Sequence, residues 1–234
     1  MLSRRVRSLD EAVDVKALIL DFDGLILDTE TTDFESWQVV YREHGVQMPR
    51  EEWIQTIGGG GKAFDPAVRL AALTGRPLEA AALRAARNRV RDTMLERLDP
   101  LPGVVAWIES ALSRGMALAV ASSSSKPWVE GHLRRAGLRH HFAELVTSEQ
   151  VARVKPDPAL YLRALALLGV ASGEALAVED SPHGVSAARA ARLRCVAVPG
   201  PMTGGCDFRR ADLLLTSLAE RDLDGVLREL FLGV

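Results

Sequence analysis

The stretch Ala17-Leu18-Ile19-Leu20-Asp21-Phe22-Asp23-Gly24 decides the fold, because a short apolar run stops abruptly at a pair of carboxylates. Similar short apolar runs recur along the chain and stop at polar or turn residues: 116–121, 145–146, 175–178, 193–198 and 213–215. Runs that are apolar on both faces are typical of strands in a parallel sheet that is covered by helices on both sides. The sequence therefore predicts such a sheet, with polar residues following several of its strands.

The segments between these runs carry helix signals. Lys126-Pro127, Asp157-Pro158 and Ser181-Pro182 each place a proline where the first turn of a helix tolerates it, and Gly169 offers a helix stop. Strands and helices therefore alternate, which predicts an α/β fold with a doubly wound, Rossmann-like parallel sheet.

Residues 32–100 interrupt this alternation, because they contain apolar stripes at helical spacing and no convincing strand. We predict an α-helical cap domain over 32–100, inserted into an α/β core domain that comprises 1–31 and 101–234. Trp37 and Trp53 are predicted to lie in the core of the cap rather than to contact a substrate.

The composition excludes several classes of protein. The 234 residues carry a net charge of −2, and 47% of them are hydrophobic, so the chain lacks the basic excess of a nucleic-acid-binding domain. No uncharged stretch is long enough for a membrane span, no secretory signal is visible, and two cysteines do not make a disulfide framework. We therefore predict a cytoplasmic protein that binds neither nucleic acid nor membrane. The arginines Arg84, Arg87, Arg89 and Arg91 are predicted to form a solvated helix face.

The predicted strand ends carry groups that can do chemistry. Ligands of open α/β sheets bind beyond the carboxyl ends of the strands. Here those ends carry two hydroxyls and four carboxylates: Ser122, Ser123, Asp21, Asp23, Glu179 and Asp180. Four carboxylates in one crevice repel each other unless they are protonated or neutralised by a cation. Mg²⁺ fits, because it binds through few carboxylates and keeps waters and substrate phosphate as its other ligands. The alternative is that these carboxylates only cap helices and end strands.

Four motifs occur in a recognisable order. They are Asp21-Phe22-Asp23-Gly24, Ser122 after Ala119-Val120-Ala121, Lys155-Pro156-Asp157-Pro158, and Glu179-Asp180-Ser181. With these motifs, nearly the whole chain after residue 15 resembles the haloacid dehalogenase-like hydrolases. The helical insertion is similar to the cap of the phosphoglycolate phosphatase and β-phosphoglucomutase-like branch.

The resemblance implies a hydrolase of phosphoric monoesters that forms an aspartyl-phosphate. Asp21 would attack phosphorus, and Asp23 would protonate the leaving oxygen and later deprotonate the attacking water. Asp21, the main-chain carbonyl of Asp23, and Asp180 would hold Mg²⁺. Glu179 would be a further metal ligand or a partner of the ligands.

The resemblance also implies a phosphate-binding set. Lys155 would neutralise charge on the phosphoryl group and on Asp21, and Ser122 with nearby main-chain N–H groups would hold a phosphate oxygen. Lysine is scarce in this arginine-rich chain, so a lysine at position 155 indicates a need for a compact point charge. The candidate substrate-binding residues are Gly24, Ser122, Ser123, Lys155, Glu30 and Lys62, with Asp33 and Phe64 as further candidates in the cap.

The run Gly58-Gly59-Gly60-Gly61-Lys62-Ala63 matches a nucleotide-binding loop only loosely. It follows a segment, 51–57, with a helical pattern rather than a strand. Thr56 and Ala63 also stand where the phosphate-loop consensus requires Gly and Ser or Thr. We interpret the run as a flexible cap loop that faces the active site.

These observations predict a Mg²⁺-dependent phosphatase that acts, as a monomer, on a small phosphorylated metabolite such as a sugar phosphate. A β-phosphoglucomutase-like phosphomutase is the alternative, but those mutases carry His where this chain has Asp33 and Lys-Gly where it has Gly58-Gly59. A 2-haloacid dehalogenase would leave Asp23 and Asp180 unexplained. A non-catalytic binding protein on the same fold would have no reason to keep Asp23 as an acid.

Overall fold

A computed structural model describes residues 14–55, 57 and 65–233. Its strands are Ala17–Leu20 (β1), Ala117–Ala121 (β2), Glu144–Val146 (β3), Ala175–Glu179 (β4), Arg194–Ala197 (β5) and Leu213–Leu214 (β6). They form one parallel sheet in the order β3-β2-β1-β4-β5-β6. All six apolar runs of the sequence therefore form strands, and the predicted doubly wound fold is confirmed.

The α-helices of the described residues are Thr29–Glu43 (α1), Arg50–Ile54 (α2), Pro66–Thr74 (α3), Ala80–Leu95 (α4), Val104–Ser113 (α5), Lys126–Arg135 (α6), Ala159–Leu168 (α7), Pro182–Ala190 (α8) and Leu223–Leu227 (α9). Proline occupies the first turn of α6 and α8, and the Ser181 hydroxyl caps α8 by accepting from the Gly184 N–H. Gly169 ends α7 with a left-handed φ of 67°. None of the described helices is long and apolar enough to cross a membrane.

The sheet is buried on both faces, which explains the continuous apolar runs. Leu18 and Leu20 pack into one cluster of buried side chains, whereas Ala17 and Ile19 pack into another on the opposite face. Successive side chains of a strand point to opposite faces, so each residue of β1 loses contact with water. The polar residues that follow β1 are thus held at the edge of a rigid core.

Helices α1 to α4 lie between β1 and β2, and we call the segment from Thr29 to Leu95 the helical insertion. It contains no strand in the part that the structure describes. It has its own apolar cluster, in which Trp37 and Trp53 are both buried, as predicted. Helix α2 ends at Ile54, three residues short of the predicted helical segment. The glycine run and Lys62 lie outside the described residues.

The α/β part of the chain contacts the helical insertion at several places, and three of these contacts involve the loop after β5 or the start of α8. Met202, from the loop after β5, belongs to the apolar cluster of the insertion. Arg50 donates to the Pro201 carbonyl at 2.6 Å, and the Nδ1 of His183 lies 3.0 Å from the Ile57 carbonyl oxygen. The insertion is therefore packed down over one edge of the sheet.

The prediction that the arginines of α4 form a solvated face is wrong for Arg87. Its side chain is only 11% exposed and pairs with Asp33 of α1 at 2.7 Å. Its Nε also donates to the Ser36 hydroxyl. Helix α4 packs along α1, so the arginine that faces α1 is removed from solvent.

Candidate active site

The sheet topology brings the motif residues together. Asp21 directly follows β1, and Glu179 ends β4 beside it, because Leu20 pairs with Val178. The Asp21 N–H donates to the Val178 carbonyl at 3.0 Å. Strand order reverses between β1 and β4, which is the place where doubly wound sheets bind their ligands.

Lys155 lies between two carboxylates at this position. Its Nζ is 2.5 Å from Oδ1 of Asp21 and 2.6 Å from Oε1 of Glu179, and its side chain is 1% exposed. The same Glu179 oxygen accepts a hydrogen bond from the Tyr161 hydroxyl. Removing a charged group from water is costly unless it is paired, and here the ammonium is paired with one oxygen of each carboxylate.

The electrostatics of this cluster show an excess of negative charge. Burial raises the pKa of Asp21 to about 7; the Lys155 ammonium opposes the rise and the Glu179 carboxylate adds to it. Burial, followed by the charges of Asp21 and Glu179, also raises the pKa of Asp180. For Lys155, burial lowers the pKa, but the two carboxylates outweigh burial and the net pKa is raised. One lysine is thus too little positive charge for the three carboxylates.

The three carboxylates fit a metal ion. Asp21, Glu179 and Asp180 each offer an oxygen within 4.8 Å of the others, and all three residues are buried. The second oxygen of Glu179, Oε2, is buried and accepts no hydrogen bond from the described residues. A buried unpaired acceptor is costly, and hard oxygen donors are what a divalent cation such as Mg²⁺ binds.

Two glycines allow the carboxylates to approach this closely. Gly24 has a left-handed φ of 81°, and a Cβ there would lie 2.2 Å from Oδ2 of Asp180. A Cβ on Gly184 of α8 would lie 1.8 Å from Oε2 of Glu179. The role of Gly24 as a substrate contact stays a prediction. In the structure its N–H donates to the Leu27 carbonyl, and the residue makes room for Asp180.

Asp23 is held by a separate set of donors. Its Oδ1 accepts from the Thr29 hydroxyl at 2.7 Å and from the Trp128 indole N–H at 2.8 Å. Its Oδ2 accepts from the Ser124 hydroxyl at 2.6 Å and from the Ser122 hydroxyl at 3.4 Å. The carboxylate of Asp23 is therefore oriented by hydroxyls and an indole. The proposed role of its main-chain carbonyl as a metal ligand stays a prediction.

The remaining candidates lie around this centre. Glu30 is half-buried in the first turn of α1, and burial together with the charges of Asp23 and Asp33 raises its pKa well above the usual range. Ser123 lies between Ser122 and Ser124 in the loop after β2. Lys62, the other predicted substrate contact, lies outside the described residues.

Sequence reasoning missed five of the described residues at the site, one of which is Thr29, whose hydroxyl donates to Asp23. Ser124 and Trp128 contact Asp23, Tyr161 contacts Glu179, and the Thr203 hydroxyl donates to the Asp180 carbonyl. Ser124 lies two residues after the second motif, which was a usable signal. Tyr161 is far from its partner in sequence and instead matched the apolar stripe of α7.

A doubly wound sheet that buries three carboxylates and a lysine at its carboxyl edge, beneath an inserted helical segment, defines an α/β protein with an acidic ligand site at its topological switch point. The chain belongs to the haloacid dehalogenase-like hydrolases, whose family model matches residues 18–198. The family and the buried acidic cluster together point to a divalent metal ion at this site.

Relatives of known name support the assignment. A Bacillus subtilis (strain 168) protein, "Putative phosphatase YhcW", is 41% identical over 209 residues, which cover 89% of this chain and 94% of that protein. The fructose-1-phosphate phosphatase YqaB of Escherichia coli (strain K12) is 33% identical over 77% of this chain and 95% of its own length. A crystal structure of a CbbY variant from Rhodobacter sphaeroides in complex with xylulose-(1,5)bisphosphate superposes with a TM-score of 0.72 and 31% identity, covering 90% of this chain and 98% of CbbY.

Proposed function

We propose that this chain is a Mg²⁺-dependent phosphatase that hydrolyses a small sugar phosphate through an aspartyl-phosphate on Asp21. The observation that carries the proposal is the buried contact of Asp21 with Lys155 beside Glu179 and Asp180. The relatives add the substrate class, since YqaB is named for fructose 1-phosphate and CbbY binds a xylulose bisphosphate.

Asp21 is suited to nucleophilic attack. A carboxylate oxygen of Asp21 forms the bond to phosphorus while the bond from phosphorus to the leaving oxygen breaks. Lys155 holds Asp21 in place and offsets the negative charge that gathers around the phosphoryl group. The Ser122 hydroxyl and the main-chain N–H groups near it are proposed to hold a phosphate oxygen.

Asp23 is suited to move the protons. It gives a proton to the leaving oxygen in the first step. In the second step it takes a proton from a water, whose oxygen bonds to phosphorus as the bond to Asp21 breaks. The products are the sugar, inorganic phosphate and the free enzyme.

Asp21, Asp180, Glu179 and the Asp23 carbonyl are the proposed holders of Mg²⁺. The bound ion supplies positive charge that neutralises the carboxylates and the substrate phosphate. Its place is consistent with the raised pKa of Asp21, because an ion can replace the protons that this cluster otherwise binds.

The helical insertion supports the proposed cap domain, whose proposed bounds are 32–100, with 1–31 and 101–234 as the core. Gly24, Glu30, Lys62 and Ser123 are further proposed substrate contacts. A phosphomutase is less well supported, because Asp33 stands where those mutases carry His and is bound to Arg87. We propose that the enzyme acts as a monomer, since all these residues come from one chain. A sizing experiment that gives a dimeric mass would contradict this.

The test is hydrolysis of fructose 1-phosphate and of p-nitrophenyl phosphate, with Mg²⁺ and with EDTA. We expect turnover that needs Mg²⁺, is abolished in Asp21→Asn, and falls about 10²–10⁴-fold in Asp23→Asn for the sugar phosphate. Asp207→Asn is the matched control, because that carboxylate lies on an exposed loop and pairs only locally with Arg209. Wild-type activity that is unchanged by EDTA, or retained in Asp21→Asn, would refute the proposal.

A further inference from the structure

The four hydrogen bonds to Asp23 are not equivalent. The hydroxyls of Thr29, Ser122 and Ser124 can each donate or accept a hydrogen bond. The indole N–H of Trp128 can only donate, and it lies 2.8 Å from Oδ1 of Asp23. The carbonyl oxygen of a carboxylic acid accepts a hydrogen bond better than its protonated oxygen does, so this contact favours Oδ1 as the unprotonated oxygen. The acid form of Asp23 is then favoured with its proton on Oδ2, beside hydroxyls that can turn to accept a hydrogen bond from it.

Trp128 is itself held on two sides. The ring of His132, one turn further along α6, meets it edge-on with centroids 4.2 Å apart and an interplanar angle of 72°. The guanidinium carbon of Arg91 lies 5.1 Å from the centroid of the indole ring. Arg91 belongs to α4 of the helical insertion, whereas Trp128 belongs to the core. A chain of contacts thus runs from the insertion through the indole to Asp23.

We propose that Trp128 is a positioning residue that fixes which oxygen of Asp23 carries the proton, and that Arg91 holds the indole in place for this purpose. The inference rests on the proposed acid role of Asp23. In the first step, the Oδ2–H bond breaks and its proton passes to the leaving oxygen as that oxygen separates from phosphorus. Asp23 is left as a carboxylate with Oδ1 still bound to the indole N–H. The insertion thereby influences the chemistry through a residue that does not touch the substrate.

The test compares two phosphate esters with the same ring. Phenyl phosphate releases a basic oxygen that needs the proton, whereas p-nitrophenyl phosphate releases one that needs it much less. We expect Trp128→Phe to lower kcat/KM about tenfold for phenyl phosphate, the effect of losing one hydrogen bond to a charged group. For p-nitrophenyl phosphate we expect a loss of less than about threefold. A loss of folded protein or of bound metal would lower kcat/KM equally for both esters.

Trp107→Phe is the matched control. Trp107 of α5 also donates its indole N–H, but the acceptor is the Arg221 carbonyl at 2.9 Å rather than Asp23. We expect this variant to be less stable yet to keep the wild-type ratio of the two kcat/KM values.

Arg91→Met provides a second variant that leaves the indole N–H in place. Loss of the cation should lower kcat/KM for phenyl phosphate about two- to fivefold, and should have no further effect when Trp128 is already Phe. Arg89 is an exposed arginine on the same helix, and Arg89→Met should leave kcat/KM unchanged for both esters.

The outcomes separate this inference from the proposed function. Suppose that the wild type hydrolyses both esters, and that Trp128→Phe lowers kcat/KM equally for both or for neither. The positioning role of Trp128 is then overturned, and the phosphatase proposal stands. If the wild type hydrolyses neither these esters nor fructose 1-phosphate, the proposed function falls and the role of Trp128 falls with it.

Discussion

Alanine at position 184 puts a methyl group where the carboxyl group of Glu179 lies. The added Cβ would be 1.8 Å from Oε2, 2.0 Å from Cδ and 2.3 Å from Oε1. Heavy atoms in proteins keep about 3.0 Å from a Cβ, so the carboxyl group must move by about 1.2 Å or more. That movement breaks its contacts with Lys155 and Tyr161, because both are already at hydrogen-bond length.

The expected loss in the free energy of unfolding follows from these two contacts. Each hydrogen bond to a charged group contributes about 1.5–3 kcal/mol, so their joint loss costs about 3–6 kcal/mol. Alanine offsets about 1 kcal/mol of this, because it has the higher helix propensity and Gly184 lies within α8. We therefore expect Gly184→Ala to lower the free energy of unfolding by about 2–5 kcal/mol.

Urea denaturation in the presence of EDTA is the assay, since a bound metal would add its own stability to the folded state. Gly131→Ala is the matched control: Gly131 lies within α6, and a Cβ there would meet no atom within 4 Å. That variant should be more stable than the wild type by about 0.5–1 kcal/mol. If Gly184→Ala is stabilised to the same extent as Gly131→Ala, the close packing of Glu179 against α8 is refuted.

Two further predictions concern charge. In EDTA, the folded protein keeps a proton on Asp21 up to about pH 7, whereas the unfolded chain loses it near the usual 3.8. The folded state thus binds more protons at Asp21 between these values, so the stability that Asp21 contributes should fall as pH rises from 4 to 7, measured as the melting temperature of the wild type minus that of Asp21→Asn. Mg²⁺ should restore the wild-type melting temperature at pH 8, and a difference that rises from pH 4 to 7 in EDTA would contradict the burial of Asp21. Arg87→Met should cost about 1–3 kcal/mol in urea denaturation, because it leaves the sheltered Asp33 without its partner. Arg84→Met, which removes an exposed pair with Asp65, should cost less than about 1 kcal/mol, and equal losses would contradict the difference in burial.

The fold could be predicted because parallel strands that are buried on both faces appear in the sequence as short, continuous apolar runs. These runs can be recognised without knowing which distant residues they contact. The run Ala17–Leu20 became β1 with no change of boundary, and the strand starting at Ala175 gained only Glu179. The error at α2, which ends at Ile54 with Gln55 as its C-cap, is a boundary error, because the ends of a short helix fray and a periodic pattern does not specify them.

The centre of the site could be predicted for the same reason. Asp21 follows β1 and Glu179 ends β4, these strands are neighbours in the sheet, and their register places the two residues side by side. Trp128 could not be predicted as a contact of Asp23, because the pair is 105 residues apart and meets only once α6 packs onto the sheet. The burial of Arg87 likewise depends on which face of α4 meets α1, and an amphipathic arginine pattern does not specify that face.

Met202 belongs to the core domain by chain position but to the helical insertion by packing. Any separation of the two parts pulls this side chain out of an apolar cluster and into water, at a cost of about 1.5–3 kcal/mol. That cost alone makes the separated arrangement roughly ten to a hundred times rarer than the packed one. If substrate enters and product leaves through such a separation, these steps draw on a minor population, and the burial of Met202 limits how often the site is open to solvent.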